Sequence, residues 1–285
     1  MRLFRSAGAL AAVAALLAGP AHAQASSAYT QHQRGMDETF RLDVGGFFQK
    51  FDTTVRVGDA QGSSGTEANL ESLLGAPDKQ TNLMVDGCWR LGRHANFQFA
   101  YRRANRTSLS AISRDIQFGD QTYHAGAQVD TSYRLDVGEL YYAYSFLNNG
   151  DAEFGLMLGV SAFYNRVSLG VSGSVAGPGG TGGAGAQTDQ RNLLAPVPAA
   201  GAYFRYALYP KVFAWGKVKG VTGTISGTHG SMLDWSAGLD VYFTQNIGIG
   251  GGYESLKVVF EKQDARQFGL NEKIDGPVAY VTIAF

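Results

Sequence analysis

The segment Gly276-Pro-Val-Ala-Tyr-Val-Thr-Ile-Ala-Phe285 decides the fold. Side chains of an extended chain alternate between two faces. Ala279, Val281, Ile283 and Phe285 therefore share one face, and Tyr280, Thr282 and Ala284 the other. The result is a strand with an apolar side and a mixed side, ending on an aromatic residue.

The same period of two runs back through the chain. Leu233, Trp235, Ala237, Leu239, Val241 and Phe243 oppose Asp234, Ser236, Gly238, Asp240 and Tyr242, and Phe40, Leu42, Val44, Gly46 and Phe48 oppose Arg41, Asp43 and their neighbours. Further strands fall at residues 83–90, 97–102, 139–146, 154–162, 202–208, about 213–219, and 247–260, giving about ten in five hairpins. Short polar turns at 91–95, 147–151, 209–211 and 244–246 alternate with long connections at 57–80, 110–130, 176–187, 223–230 and 262–275. A bulge is expected near Gly138, where Leu135 and Val137 fall out of phase with Leu140. A phase shift is expected in the fifth strand toward Val167, and Pro196 and Pro198, which cannot donate to a ladder, make the sixth irregular.

Composition narrows the class. The 285 residues include 38 glycines, 14 tyrosines and 17 phenylalanines, but only 17% are charged. Gly and aromatics at this density suit a closed sheet with aromatic belts. Met1-Arg-Leu-Phe-Arg5, the apolar run to Gly19 and Ala21-His-Ala23 read as a signal peptide over 1–23, with cleavage before Gln24. Residues 24–38 read as a flexible periplasmic lead-in and 39–285 as the barrel. Without Arg2 and Arg5 the 24 basic residues become 22 against 24 acidic ones, which suggests no nucleic-acid partner. Cys88 is the only cysteine, so neither an intrachain disulfide nor a cysteine-based metal site can form. The sequence suggests no cofactor and no metal.

With its paired alternating strands, its A-x-A site and its terminal Phe, the chain resembles the bacterial outer-membrane β-barrel proteins. The resemblance implies an all-β, closed, antiparallel up-and-down transmembrane barrel of about ten strands, with periplasmic termini and extracellular long loops. It also implies that Val281, Ile283 and Phe285 form the signal read by the barrel assembly machinery. Outer-membrane lipid and lipopolysaccharide would then be its surroundings, with a surface ligand left unspecified. Trp89, Phe97, Phe146, Phe154, Tyr206, Tyr209, Phe213, Phe243 and Phe285 lie near the expected periplasmic ends and suggest an interfacial girdle.

If the apolar faces meet lipid, the opposite faces line the lumen with Arg41, Asp43, Asp86, Arg90, Arg102, Glu139, Arg205, Lys217, Lys219, Asp240 and Glu254. A charge facing the bilayer midplane would cost roughly 2–4 kcal/mol, which turns these positions inward. In so narrow a bore they would pair and largely fill it, giving a non-enzymatic barrel for envelope structure or surface interaction. The alternatives are a narrow channel for small solutes and a surface enzyme. The omptin proteases resemble the chain in size and strand number, but their acidic and Asp-His pairs have no counterpart here: Asp-x-Asp and Asp-x-His do not occur, and His124 and His229 stand in separate loops. His229-Gly-Ser231 matches the His-x-Ser spacing of the lipid A deacylases, without a fitting Glu on that strand.

Overall fold

Alternating faces joined by short turns build a continuous wall. The computed structural model describes residues 36, 38–58, 65–118, 121–176, 183–225, 228–262 and 268–285. The expected signal peptide over 1–23, and residues 24–35 and 37 of the expected lead-in over 24–38, lie outside them. Ten long strands follow one another: β1 (Phe40–Val57), β2 (Lys79–Arg90), β3 (Ala95–Ala111), β4 (Gln128–Asn148), β5 (Ala152–Ala176), β6 (Gly183–Tyr209), β7 (Val212–Ile225), β8 (Thr228–Tyr242), β9 (Ile247–Lys262) and β10 (Phe268–Ala284). Each pairs antiparallel with the next, and β10 returns to β1 through Leu42↔Ile283 and Val44↔Val281. The barrel is closed. At the seam Phe285 N donates to Phe40 O at 2.9 Å and Thr39 N to Phe285 O at 2.6 Å.

The outward face carries an apolar belt. Leu158 is 67% exposed and Leu156 59%, and Leu83, Leu140, Leu239 and Val281 share their direction. Contiguous apolar exposure on this scale marks a surface that does not meet water. At ~3.3 Å per residue and a tilt of about 40°, the rise from Phe40 to Phe48 is roughly 20 Å, near the ~25 Å band of outer-membrane barrels. Aromatics edge the belt. On the turn side Phe146 and Phe154 rings lie 5.0 Å apart and Trp89 and Phe97 6.4 Å apart. On the other side stand Phe48, Tyr101, Tyr164, Trp235 and Tyr253, with Trp235 stacked on Tyr253 at 5.8 Å. Phe213 does not join the girdle: it is 1% exposed and points inward, where it packs on Tyr242 and under Arg205.

Above the belt the strands continue. β5 has 25 residues and β6 27, against the ~9–11 that cross a bilayer. Much of what reads as long loop is therefore strand, including residues 268–275 of β10. A short hairpin, Ile116–Phe118 with Gln121–Tyr123, adds to the edge of β5. No bulge occurs at Gly138: β4 keeps odd residues inward from Val129 to Ser145, and its one register shift lies between Ser145 and Leu147. β5 likewise pairs with β6 in unbroken register, with Phe163 and Asn165 in phase with Glu153. Leu135, Val137 and Phe163 broke the expected pattern because above the belt water lies outside and an apolar core inside, so the polarity of the two faces inverts.

Two seams open in this extension. The β2–β3 ladder ends at Met84↔Arg102 while β3 runs on to Ala111, and residues 65–78 fold into the gap between β1 and β3. Leu70, Leu74 and Ala76 are buried there. The β6–β7 ladder stops at Ala200↔Gly220, just short of Pro198, and a proline cannot donate to a continued ladder. At Gly250 packing leaves no room for a side chain: a Cβ there would sit 2.2 Å from the Tyr280 ring.

Candidate functional site

The inner faces of the strands build the interior in layers. At the short-turn mouth, Met36 is fully buried against Phe213, Tyr242 and Ala284. Next come Arg41 with Glu38 at 3.3 Å and with Asp43 at 3.4 Å, and Arg205 with Asp240 at 2.7 Å. Arg90 reaches across the bore from β2 to hold both oxygens of Glu153 on β5, each at 2.9 Å. Tyr203 OH donates to Glu153 at 3.0 Å and Tyr280 OH to Asp240 at 2.6 Å.

The second layer has two clusters. Arg102 pairs with Asp86 at 2.7 Å and, across the bore, with Glu254 at 2.9 Å. Lys219 pairs with Glu139 at 2.5 Å and Asp234 at 2.8 Å. Between the layers lies a void of about 50 Å³ lined by Lys217, Trp215, Asp86 and Glu254 among others. It has room for a few waters. Arg41, Asp43, Asp86, Arg90, Arg102, Arg205, Lys217, Asp240 and Glu254 all line this void, and Glu139 and Lys219 pair in the second layer. Glu153 and Asp234 belong to the same network; Asp234 stands in phase with Asp240, and Glu153 hides beside a turn.

The third layer is apolar. Phe163 on β5 and Phe260 on β9 meet edge-to-face with centroids 6.3 Å apart, although these strands are not neighbours in the wall. Leu135, Val137, Leu256, Val258, Leu270 and Ile274 pack around them. Nothing in the sequence reading placed a hydrophobic layer across the bore.

Above it, clear of the belt, sits Arg106 with no exposed side-chain surface. It pairs with Glu71, donates to Thr53 Oγ1 at 2.7 Å, and lies 3.9 Å from Glu272. Its guanidinium is sandwiched between Phe51 at 4.1 Å and Tyr133 at 4.7 Å. Tyr133 OH donates to Glu272, and Asn165 Nδ2 to Tyr133 at 3.1 Å. Glu71 belongs to the segment that fills the β1–β3 gap, so the cluster ties that segment to the wall. Burial pushes the Glu272 carboxyl up to about 7, against the opposing pull of Arg106. Because the folded form binds its proton more tightly, the contribution is fully present below the ordinary value near 4.5 and fades as pH rises to about 7. Protection factors at residues 68–76, corrected for the intrinsic pH dependence of amide exchange, are expected to be higher at pH 5 than at pH 8, with the difference removed by Glu272→Gln. Equal protection at both pH values in the parent would contradict this.

The enzyme motifs assemble only in part. His124 Nδ1 lies 3.1 Å from Asp115 Oδ2, and the Ala125 amide followed by His124 holds the Asp115 carboxyl below its usual range. Both side chains are exposed, and among the described residues no cluster of three His, Cys, Asp or Glu forms. His229 faces Glu261 across β8 and β9, a partner that a search of one strand misses, but its Nδ1 lies 3.1 Å from Thr224 Oγ1 instead. His229 and Ser231 also stand above Leu233 and Trp235, beyond the top of the belt.

No protein-family model and no curated protein matches the chain. Among solved structures, the outer-membrane protease OmpT from Escherichia coli aligns with a TM-score of 0.53 at 12% identity, covering 88% of this chain and 97% of its own. The chain has the fold of a bacterial outer-membrane β-barrel. The outer-membrane barrel OprG from Pseudomonas aeruginosa aligns more loosely, with a TM-score of 0.34 at 10% identity over 87% of this chain and 97% of its own. The toluene transporter TodX from Pseudomonas putida gives 0.35 at 9% identity over 86% and 89%. As an outer-membrane barrel, the chain presents its belt to lipid and its extended strands to the side away from the short turns.

Proposed function

We propose that this outer-membrane barrel is non-enzymatic and does not conduct, and that it serves envelope structure or surface interaction through the part beyond the membrane. The contact of Phe163 with Phe260 across the bore carries the reading, because it replaces the water column a channel needs with packed rings. Met36 at the mouth and the transluminal Arg90–Glu153 and Arg102–Glu254 pairs support it. Planar-bilayer recordings on the refolded protein are expected to show no steady conductance. Steady conductance would overturn the reading in favour of a narrow solute channel, and its loss in Lys217→Ala would trace the path through the void.

The facing of Glu261 and His229 favours a lipid A-modifying enzyme as the second reading. It requires His229 to leave Thr224 and the outer leaflet to reach above Trp235. A changed lipid A mass on expression, abolished by Ser231→Ala, would establish it and remove the non-enzymatic part of the proposal.

A further inference from the structure

Above the belt the wall is closed at one place by a segment that is not one of its ten strands. The β1–β2 ladder ends at Lys50↔Lys79, and residues 65–78, the strap, take the place beside β1 that β2 leaves. Toward β1 the strap is paired as a strand would be: Thr54↔Asn69 and Val55↔Ala68 are in register, and Leu70 N donates to Thr53 O at 2.9 Å. Toward β3 it is held differently. Among the described residues no main-chain hydrogen bond joins the strap to β3. Side chains make the contact, with Ser108 Oγ donating to Leu74 O at 2.8 Å and Arg106 pairing with Glu71. The strap is therefore hinged on β1 and latched on β3.

The latch has the makings of a ligand site. The Arg106 guanidinium has no exposed surface and lies between the Phe51 and Tyr133 rings, which set its orientation. Glu71 is the anion it holds, but through one nitrogen only: Nη1 donates to Glu71, Nη2 to Thr53 Oγ1, and Nε has no partner. The other oxygen of Glu71 is taken by Thr53 N at 2.9 Å. A buried donor left unmatched is costly, and a carboxylate free to orient can cover two guanidinium nitrogens at once. Glu272 also faces the guanidinium, 3.9 Å away, and accepts from Tyr133 OH. With its carboxyl pushed up to about 7 by burial, Glu272 is largely uncharged at pH 6, which leaves Glu71 as the counter-ion.

We propose that Arg106 is a carboxylate-binding site in which Glu71 is the resident occupant, and that a carboxylate from outside takes its place as the strap swings off β3. Arg106 stays with β3, and its two rings with β1 and β4, whereas Glu71 leaves with the strap. The swing uncovers a fixed guanidinium between two aromatic faces, without its anion. Acidic side chains thereby become the feature of a surface partner that the part beyond the membrane recognises. The inference rests on the reading of that part as a place of surface interaction, and is independent of whether the bore conducts.

Thiol labelling at pH 6 with a membrane-impermeant reagent, in protein carrying Cys88→Ser, tests the exchange. Triglutamate is expected to speed labelling of Leu74→Cys at least about tenfold and to leave Ala68→Cys, on the hinge side, unchanged; triglutamine should do neither. Acetate at equal carboxylate concentration separates the sources: a weaker effect than triglutamate's assigns the site to an acidic peptide, an equal one to free carboxylates, and both support a carboxylate on Arg106. No acceleration by either carboxylate would overturn the proposal, and so would equal acceleration at Ala68→Cys. A second measurement uses Glu71→Ala, which removes the occupant and keeps Arg106. Acetate is expected to raise its urea midpoint above that in sodium chloride of equal ionic strength, and Glu71→Ala with Arg106→Met to lose the gain. Indifference of Glu71→Ala to acetate would also overturn the site. Silent planar-bilayer recordings would stand through any of these failures, so the two readings fall separately.

Discussion

Replacing Arg106 by alanine is expected to cost about 3–5 kcal/mol, because it leaves buried carboxylates without their cation. Glu272 is 2% exposed and Glu71 shares the same guanidinium, and the Phe51 and Tyr133 rings would face each other across the vacated space. Urea unfolding in micelles should show the loss, and proteolysis at residues 65–78 should become rapid at concentrations where the belt remains intact. Arg106→Met combined with Glu272→Leu should recover most of the stability, since a well-packed apolar pair of similar volume replaces a buried ion pair at little cost. A single Arg106→Ala variant as stable as its parent would mean that the 65–78 segment is held by Leu70 and Leu74 alone.

The second large effect concerns the seal. Truncating a buried phenylalanine to alanine typically costs about 3–5 kcal/mol, and Phe163 and Phe260 are 4% and 9% exposed. Phe163→Ala with Phe260→Ala is expected to lower the urea midpoint and also to let water through, so that brief conductance events appear in bilayers where the parent is silent. Silence in a destabilised double variant would place the barrier elsewhere, at the Met36 mouth or the Arg102 and Lys219 clusters.

Within the belt, the sequence could be read because the solvent differs on the two sides. Lipid outside and ion pairs inside impose a strict period of two, so Leu233 to Phe243 and Phe40 to Phe48 announce their faces. Above the belt both the wall and its surroundings change. Leu135 and Val137 turn inward while Arg134 and Asp136 turn out, which reads as a slipped phase although the strand is continuous. Phe213 was misplaced because the turn at Pro210 and Lys211 hides where the next alternation begins. The lumenal charges could be chosen residue by residue, but their partners could not: Arg102 and Glu254 lie 152 residues apart, and Tyr133 and Glu272 139.

The closing seam also sets an order of events. Nine of the ten ladders between the long strands join consecutive strands and can form as local hairpins, whereas Arg41↔Ala284 brings together the two extremes of the barrel. Loop closure over such a distance has a high entropic cost, and non-local pairings form slowly. Thr282 can donate to Asp43 only once that seam exists, and Arg106 on β3 can approach Glu272 on β10 only then. Much of the interior's polar network is therefore a product of closure rather than its cause. A chain with an open seam would carry exposed strand edges and unpaired charges together, which makes ring closure the commitment step of its assembly.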